Sequence, residues 1–81
     1  MTREDVYKII DGERDYQDVT WPGGGHRTGV DITLLHYYMH EADVALTRNS
    51  GDIPALHVIR KIAAIAVRCL EEHGAPPRIA E

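Results

Sequence analysis

The sequence predicts an all-α fold in which a short N-terminal helix and a glycine-rich loop precede an antiparallel two-helix hairpin. Two long stretches carry apolar residues at the three- and four-residue spacing of an amphipathic helix, and a shorter stretch with this spacing precedes them. A run of glycines breaks the pattern after the short stretch. The 81 residues suffice for one domain, which we expect to span positions 1–81 and to assemble as a homo-oligomer.

The first helix is predicted to begin at Thr2 and to run to about Tyr16. Asp5 follows Thr2 at the spacing of a capping box, with aspartate in place of the usual glutamate. The periodicity stops over Gln17 to Gly29, where Pro22 and consecutive glycines favour irregular backbone. The apolar positions that recur at helical spacing in this first helix are Val6, Ile9 and Ile10.

The second helix is predicted to run from about Val30 to Arg48. Asp31 suits the N-terminal turn of a helix, because a negative charge there interacts favourably with the helix dipole. The sequence Asn49-Ser50-Gly51 is typical of the end of a helix. One face of this helix is apolar and is formed by Leu35, Tyr38, Met39, Ala42, Ala45 and Leu46.

The third helix is predicted to begin after Asp52, an N-cap residue, with Pro54 in its first turn. Gly74 indicates its end, and Pro76-Pro77 prevents its continuation. Because about four residues join the second and third helices, the two should form an antiparallel hairpin. The apolar stripe of the third helix consists of Ile53, Leu56, Ile59, Ile62, Ala63, Ala66, Cys69 and Leu70.

Self-association is expected because a chain of this size has few other ways to gain stability. Cys69 is the only cysteine, so no disulfide can form within the chain, and no Cys/His cluster has the spacing of a structural zinc site. Val58, Ile65 and Val67 lie off the main stripe of the third helix, which is therefore apolar over more than half of its circumference. A helix of this kind needs cover on several sides, and a second copy would supply it.

The composition excludes several classes of partner. With a net charge of −4 and no basic stripe, the chain is a poor candidate for binding duplex nucleic acid. Residues Met1 to Asp5 lack the apolar core of a signal peptide, and the longest apolar run, Ile62 to Val67, is too short to span a bilayer. We therefore expect no membrane partner and a cytoplasmic location, the host cell cytoplasm if the protein is phage-encoded.

The most informative stretch for function runs from Trp21 to Gly29. Its glycines, among them Gly25, leave backbone N–H groups accessible, and the helix start that follows offers further unpaired donors. Arg27 adds donors suited to phosphate and Thr28 adds a hydroxyl. Aromatic rings are flat surfaces on which a base could stack. The predicted site for a small anionic nucleotide therefore consists of Tyr16, Trp21, Gly25, His26, Arg27 and Thr28.

Two interpretations of this loop stay open at the level of sequence. The P-loop pattern does not fit, since Gly29 is followed by Val30-Asp31 and not by Lys-Ser/Thr, and no strand precedes the loop as a dinucleotide fingerprint requires. The loop is then either an anion-binding segment or a flexible connector with Trp21 packed on the core. Arg60 and Arg68, eight residues apart on one side of the third helix, complete the predicted site from a neighbouring chain. Other candidates for anion contacts are Arg14, Arg48 and Lys61.

Metal binding is not expected. His36 and His40 are four residues apart with Asp43 following, a spacing that can hold a metal on a helix face. The glutamate of the metalloprotease motif is absent, because Tyr37 follows His36. A solvated polar face is the favoured interpretation, and Cys69 on its apolar stripe is interpreted as a core residue. We therefore predict no metal and no cofactor.

A resemblance to small phage proteins covers most of the chain. It rests on Gly12-Glu13-Arg14-Asp15-Tyr16-Gln17-Asp18, then Trp21 and His26, then a helical hairpin ending in Arg60-Lys61-Ile62-Ala63-Ala64. In size, hairpin and residue types the chain is also similar to phage anti-CBASS and anti-Thoeris sponges. Those are small helical oligomers that hold nucleotide signals of bacterial defence between protomers through arginine, lysine, threonine and aromatic side chains. No site residue is assigned from this resemblance.

The hairpin is also similar in outline to the all-α pyrophosphohydrolases of the MazG type. That family carries a Glu-Glu-x-x-Glu helix and a later Glu-x-x-Asp. Here the second helix offers only Glu41 and Asp43, and the third helix has no Glu-x-x-Asp. The missing carboxylates argue against hydrolase activity, since magnesium-dependent phosphate chemistry needs several of them around the ion.

The sequence therefore predicts a non-enzymatic, oligomeric protein that sequesters a nucleotide-derived signal, either a cyclic nucleotide or an ADP-ribose-type molecule, in phage counter-defence. Two alternatives are kept. One is an inhibitor or adaptor that uses its apolar helix faces on a host protein. The other is a divergent MazG-like nucleotide pyrophosphohydrolase.

Overall fold

A computed structural model of the chain describes residues 1–48 and 51–79. It contains three α-helices: α1 at Arg3–Thr20, α2 at Thr28–Arg48 and α3 at Ile53–His73. Neither of the two described ranges contains a strand. The all-α fold class predicted from the sequence is therefore confirmed, with three helices in the predicted order.

The three helices are arranged around α3. Both α1 and α2 pack on α3, whereas within the described residues α1 and α2 do not approach each other. The inner side of α3 carries Ala64, which is fully buried, and Ile65, which is 9% exposed. Small side chains at such positions allow neighbouring helices to pack closely. This arrangement leaves a space between α1 and α2 above α3.

The start of α1 is the predicted capping box. The Asp5 amide donates to Thr2 Oγ1 at 3.1 Å, and the Thr2 amide donates to Asp5 Oδ2 at 3.0 Å. The hydrogen bond from the Thr2 backbone, followed by that of its side chain, lowers the pKa of the Asp5 carboxyl. The two reciprocal bonds satisfy donors that a helix start otherwise leaves unpaired.

The end of α1 differs from the prediction. The helix continues through Gln17 to Thr20, beyond the predicted end near Tyr16. The buried residues of α1 are polar, Arg14 and Gln17, so the face that packs on α3 is not apolar. Apolar periodicity therefore detects only the first part of this helix, and the irregular segment begins at Trp21 instead of Gln17.

Arg14 holds α1 on α3 through a polar network. Its Nε donates to Glu71 Oε2 of α3 at 2.5 Å, and its Nη1 donates to Gln17 Oε1 at 3.2 Å and to Asp18 Oδ1 at 3.1 Å. The hydrogen bond with Glu71 raises the pKa of the Arg14 guanidinium, and burial opposes this effect. Because Arg14 is buried and its Nε and Nη1 donate to three partners, one of them on α3, the network fixes the position of α1 along α3.

Replacing Arg14 by alanine is expected to lower the free energy of unfolding by about 2 kcal/mol, since hydrogen bonds to charged groups contribute about 1.5–3 kcal/mol. The carboxylates of Glu71 and Asp18 are more than half exposed and can be rehydrated, which limits the loss. Urea denaturation followed by circular dichroism measures the change. Arg3→Ala, at an exposed position of the same helix, is the control and should change stability by no more than about 0.5 kcal/mol. Equal losses in the two variants would contradict this role of Arg14.

The remaining helix ends follow the sequence with small differences. α2 begins at Thr28, two residues before the predicted start, because the Arg27 carbonyl accepts from the amide of Asp31 at 3.1 Å. Asp52 precedes α3 as predicted, but its side chain makes no capping hydrogen bond. Gly74 ends α3 with φ +103°, a value that favours glycine, and its amide donates to the carbonyl of Leu70. The predicted closing turn at Asn49 and Ser50 lies outside the described residues.

Half of the residues in the apolar stripe of α3 are solvent-exposed in the single chain. Ile53 is 66% exposed, Leu56 53%, and Ile59 and Leu70 48% each. Ile65, which lies off that stripe, is buried instead. α3 therefore uses one side to pack on α1 and α2 and leaves four of the eight stripe residues exposed. No described helix is both long and apolar enough to cross a membrane.

Candidate functional site

A cavity of about 700 Å³ occupies the space between α1 and α2 above α3. Its volume is within the range of about 300–1,000 Å³ that is usual for small-molecule sites. All three helices and the loop between α1 and α2 contribute to its wall. The lining residues are Glu13, Tyr16, Gln17 and Thr20 of α1, Trp21, Pro22, Gly24 and His26 of the loop, Asp31, Leu34 and Tyr38 of α2, and Lys61, Ile65 and Arg68 of α3.

The glycine-rich loop is bound to the last turns of α3. Arg68 donates through a guanidinium nitrogen to the carbonyl of Gly24, and the amide of His26 donates to Glu72 Oε2 at 3.4 Å. The imidazole of His73 lies 2.7 Å from the carbonyl of His26 through Nε2. Gly23 adopts φ +77°, which a residue with a side chain rarely adopts, so the turn requires glycine there. The loop is thus an anchored wall of the cavity.

Arg68 and Glu72 form the centre of this anchor. Nε of Arg68 donates to Glu72 Oε1 at 3.1 Å, one helical turn away. The hydrogen bond from Arg68, followed by that from the His26 amide, lowers the pKa of the Glu72 carboxyl despite some desolvation. The carboxylate therefore stays ionised at neutral pH and keeps its hold on the loop.

Two aromatic side chains stand at the α1 end of the loop. The rings of Tyr16 and Trp21 meet edge to face, with centroids 6.1 Å apart and planes at 88°. Each side chain is 57% exposed, so ring surface is accessible from the cavity that both residues line. Tyr38 lines the same cavity from α2. Such surfaces can stack on a planar base.

The charged groups of the wall are mostly engaged. Arg68 is bound to Gly24 and Glu72, and Glu13 accepts from Arg60 Nε at 2.8 Å. Lys61 forms no ion pair within the described residues. Its ammonium is therefore the wall cation most available to an anionic ligand.

The structure brings four of the eight predicted site residues into this wall: Tyr16, Trp21, His26 and Arg68. Three further predicted residues, Gly25, Arg27 and Thr28, follow the loop residues of the wall in sequence but do not line the cavity. Gly25 lies against the carboxylate of Glu72. Arg60 lines a separate, shallower depression of about 430 Å³ and also lies 2.6 Å from His57 Nδ1. Of the two predicted arginines of α3, Arg68 therefore contacts the loop and lines the cavity, whereas Arg60 does not.

Several residues of the cavity wall were not predicted as site residues from the sequence. Lys61 was one of many general anion candidates, and Asp31 was interpreted only as the start of a helix. Gln17 stood in a segment predicted to be irregular. Each reaches the cavity through packing between distant parts of the chain, for which the sequence has no local signal. One usable signal for Gln17 was its three-residue spacing from Arg14, since such pairs share a helix face.

The histidine pair of α2 is placed away from any third ligand. His36 and His40 are exposed. Within the described residues, the three-residue group that could hold a metal ion includes neither histidine. Among the described residues, no third metal ligand therefore lies close enough to this histidine pair to complete a metal site.

Comparisons of the chain with protein-family models, with curated proteins and with solved structures found no match. A functional assignment therefore depends on the cavity, its wall and the exposed helix faces.

Proposed function

We propose that the protein is a non-enzymatic binding protein that sequesters a small anionic nucleotide-derived signal, a cyclic nucleotide or an ADP-ribose-type molecule. The observation that carries the proposal is the 700 Å³ cavity, whose wall combines aromatic rings with cations. A base would stack on Trp21 or Tyr16, and phosphate would be bound by Lys61 with the free donors of Arg68.

The chemistry of the wall supports binding without turnover. Its carboxylates are Glu13, which is paired with Arg60, and Asp31, which is buried on the opposite side at the start of α2. Magnesium-dependent phosphate hydrolysis uses several carboxylates that converge on one ion. A MazG-like pyrophosphohydrolase is therefore the weaker candidate, and the function of the cavity is to lower the concentration of free ligand.

The assembly we propose is a homo-oligomer of antiparallel α2–α3 hairpins. Among the residues that the structure describes, the buried apolar ones are three alanines and Ile65, while Leu56, Ile59 and Leu70 are about half exposed. This core is small, and chains of this size often gain stability by association. In an oligomer, the uncovered stripe of α3 packs against a second copy.

The biological setting follows from the resemblance to phage sponges. An oligomer with one such cavity in each chain would hold defence signals in the cytoplasm of the host. No duplex nucleic acid and no membrane is involved in this scheme. Because the net charge of −4 does not attract an anion from a distance, recognition in this scheme depends on the few cations of the cavity wall.

Trp21→Ala is expected to weaken binding of the cognate nucleotide about tenfold to a hundredfold, because stacking of one base contributes about 1–3 kcal/mol. Native mass spectrometry of the purified protein with cyclic dinucleotides, ADP-ribose derivatives and nucleoside triphosphates first identifies the ligand, and calorimetry gives the affinities. Tyr7→Ala removes an exposed aromatic residue of α1 that does not line the cavity, and its affinity should equal that of the wild type.

Two results would decide against sequestration. Hydrolysis of a nucleoside triphosphate in the presence of magnesium, seen as a product of lower mass, would favour the pyrophosphohydrolase. A chain that binds none of the nucleotides would favour the second candidate, an inhibitor or adaptor that applies the exposed apolar stripe of α3 to a host protein. That candidate is favoured by the large exposed side chains of α3, since extended apolar patches mark interaction surfaces.

A further inference from the structure

Three metal-ligating side chains from distant parts of the chain meet below the loop. Asp31 lies in the first turn of α2, and Cys69 and His73 lie in the last two turns of α3. One ligand atom from each, a carboxylate oxygen, the thiol sulfur and an imidazole nitrogen, lies within 4.8 Å of the other two. We propose that this triad binds one zinc ion, an inference that goes beyond the nucleotide site and does not depend on it.

The donor set matches the chemistry of zinc. Cys69 and His73 are four residues apart on one helix, so their side chains point to the same side. Zinc binds thiolate, imidazole and carboxylate ligands, and three protein ligands with a fourth position for water are common. Calcium and magnesium prefer oxygen ligands, so the sulfur and nitrogen donors select against them.

The carboxylate of Asp31 provides an independent indication of a ligand. Its side chain is only 5% exposed, and its Oδ2 is buried without a hydrogen bond in the described structure. His73 Nε2 lies 3.4 Å from this oxygen but is 2.7 Å from the carbonyl of His26. A buried carboxylate oxygen without a donor is costly, whereas a cation at that point would satisfy it.

A small adjustment is enough to close the triad on an ion. With zinc about 2.0 Å from oxygen or nitrogen and about 2.3 Å from sulfur, tetrahedral ligand atoms lie about 3.5 Å apart. His73 can make this movement because its side chain is 32% exposed and lies in the last turn of α3. Asp31 is fixed by burial and is the natural anchor of the site.

Zinc at this point would link the start of α2 to the end of α3. Within residues 1–48 and 51–79, no large side chain is fully buried. Chains with so little core often use a structural metal, and an ion that binds only the folded state stabilises it by mass action.

The test measures metal binding without any nucleotide. Protein freed of metal by a chelator is titrated with cobalt(II), then with zinc, and thermal unfolding is followed at each step. We expect one ion per chain, d–d bands of tetrahedral cobalt with a thiolate charge-transfer band, loss of both on adding zinc, and a higher melting temperature with zinc. Absence of a stoichiometric cobalt spectrum in the wild type would overturn the proposal.

Variants identify the ligands. His73→Ala and Cys69→Ser are each expected to weaken zinc binding by at least about a hundredfold, because loss of an outer-shell partner alone costs about 10- to 100-fold. Cys69→Ser must also remove the charge-transfer band. His40→Ala, an exposed histidine of α2, is the matched control and should bind zinc as the wild type does. Retention of the charge-transfer band in Cys69→Ser, or equal losses in His40→Ala and His73→Ala, would also overturn the proposal.

Discussion

Replacing Lys61 by glutamate is expected to weaken binding of the nucleotide ligand by about a hundredfold. Lys61 lines the cavity from α3, and no carboxylate among the described residues pairs with it. A charged hydrogen bond to phosphate contributes about 1.5–3 kcal/mol, or about tenfold to a hundredfold in affinity. Lys61→Ala removes that contribution, and Lys61→Glu adds repulsion between like charges. Calorimetry at low salt measures both variants.

Lys8→Glu is the control for this charge reversal. Lys8 is an exposed residue of α1 that does not line the cavity, so its replacement changes the net charge equally without touching the wall. If long-range attraction alone governed binding, the two reversals would weaken it equally and the effect would fade with added salt. If only Lys61→Glu weakens nucleotide binding, the phosphate binds in the cavity. Equal effects would contradict that placement.

The sequence predicted the helices well where local chemistry decides them. The capping box of Thr2 and Asp5 and the glycine end of α3 at Gly74 depend on neighbours within four residues, and both occur as predicted. α1 was predicted too short because its buried face is Arg14 and Gln17, and apolar periodicity has no means of recognising a polar face that packs through an ion pair. Glu71, the partner of Arg14, is 57 residues away in the chain.

The site was also predicted only in part, because contacts between residues far apart in the chain leave no local signal in the sequence. Trp21 and His26 stand in a segment whose composition is unusual by itself, so local reasoning finds them. Lys61 and Asp31 become wall residues only because α2 and α3 pack together with the loop above them. The structure also gives Arg68 a second role, since it anchors the loop through Gly24 while it lines the cavity. That dual role makes Lys61, and not Arg68, the informative position for a binding test.

The exposed part of the α3 stripe is the surface through which we propose that the chain self-associates. Ile53, Leu56, Ile59 and Leu70 recur at three- and four-residue multiples and lie on one side of the helix, opposite the buried Ile65. Fully burying one such side chain contributes about 1.5–3 kcal/mol, and about half of that remains to be gained where the residue is already half buried. In the twofold interface that we propose, each residue would be buried twice, once in each copy.

Ile59→Glu is therefore expected to weaken self-association by about a thousandfold. Because Ile59 is already about half buried, the variant loses about 1 kcal/mol of burial in each copy, about 2 kcal/mol for the pair. The carboxylates that it brings into an apolar contact add a cost of about 2 kcal/mol. Sedimentation velocity should find an oligomer for the wild type and a monomer for Ile59→Glu at the same concentration. Val19→Glu is the control because Val19 is also an exposed apolar residue, 82% accessible, but lies on α1. A monomeric wild type, or an oligomer that survives Ile59→Glu, would show that the stripe serves another partner. Far-ultraviolet circular dichroism separates this result from unfolding, because a side chain already 48% exposed can be replaced without opening the packed side of α3.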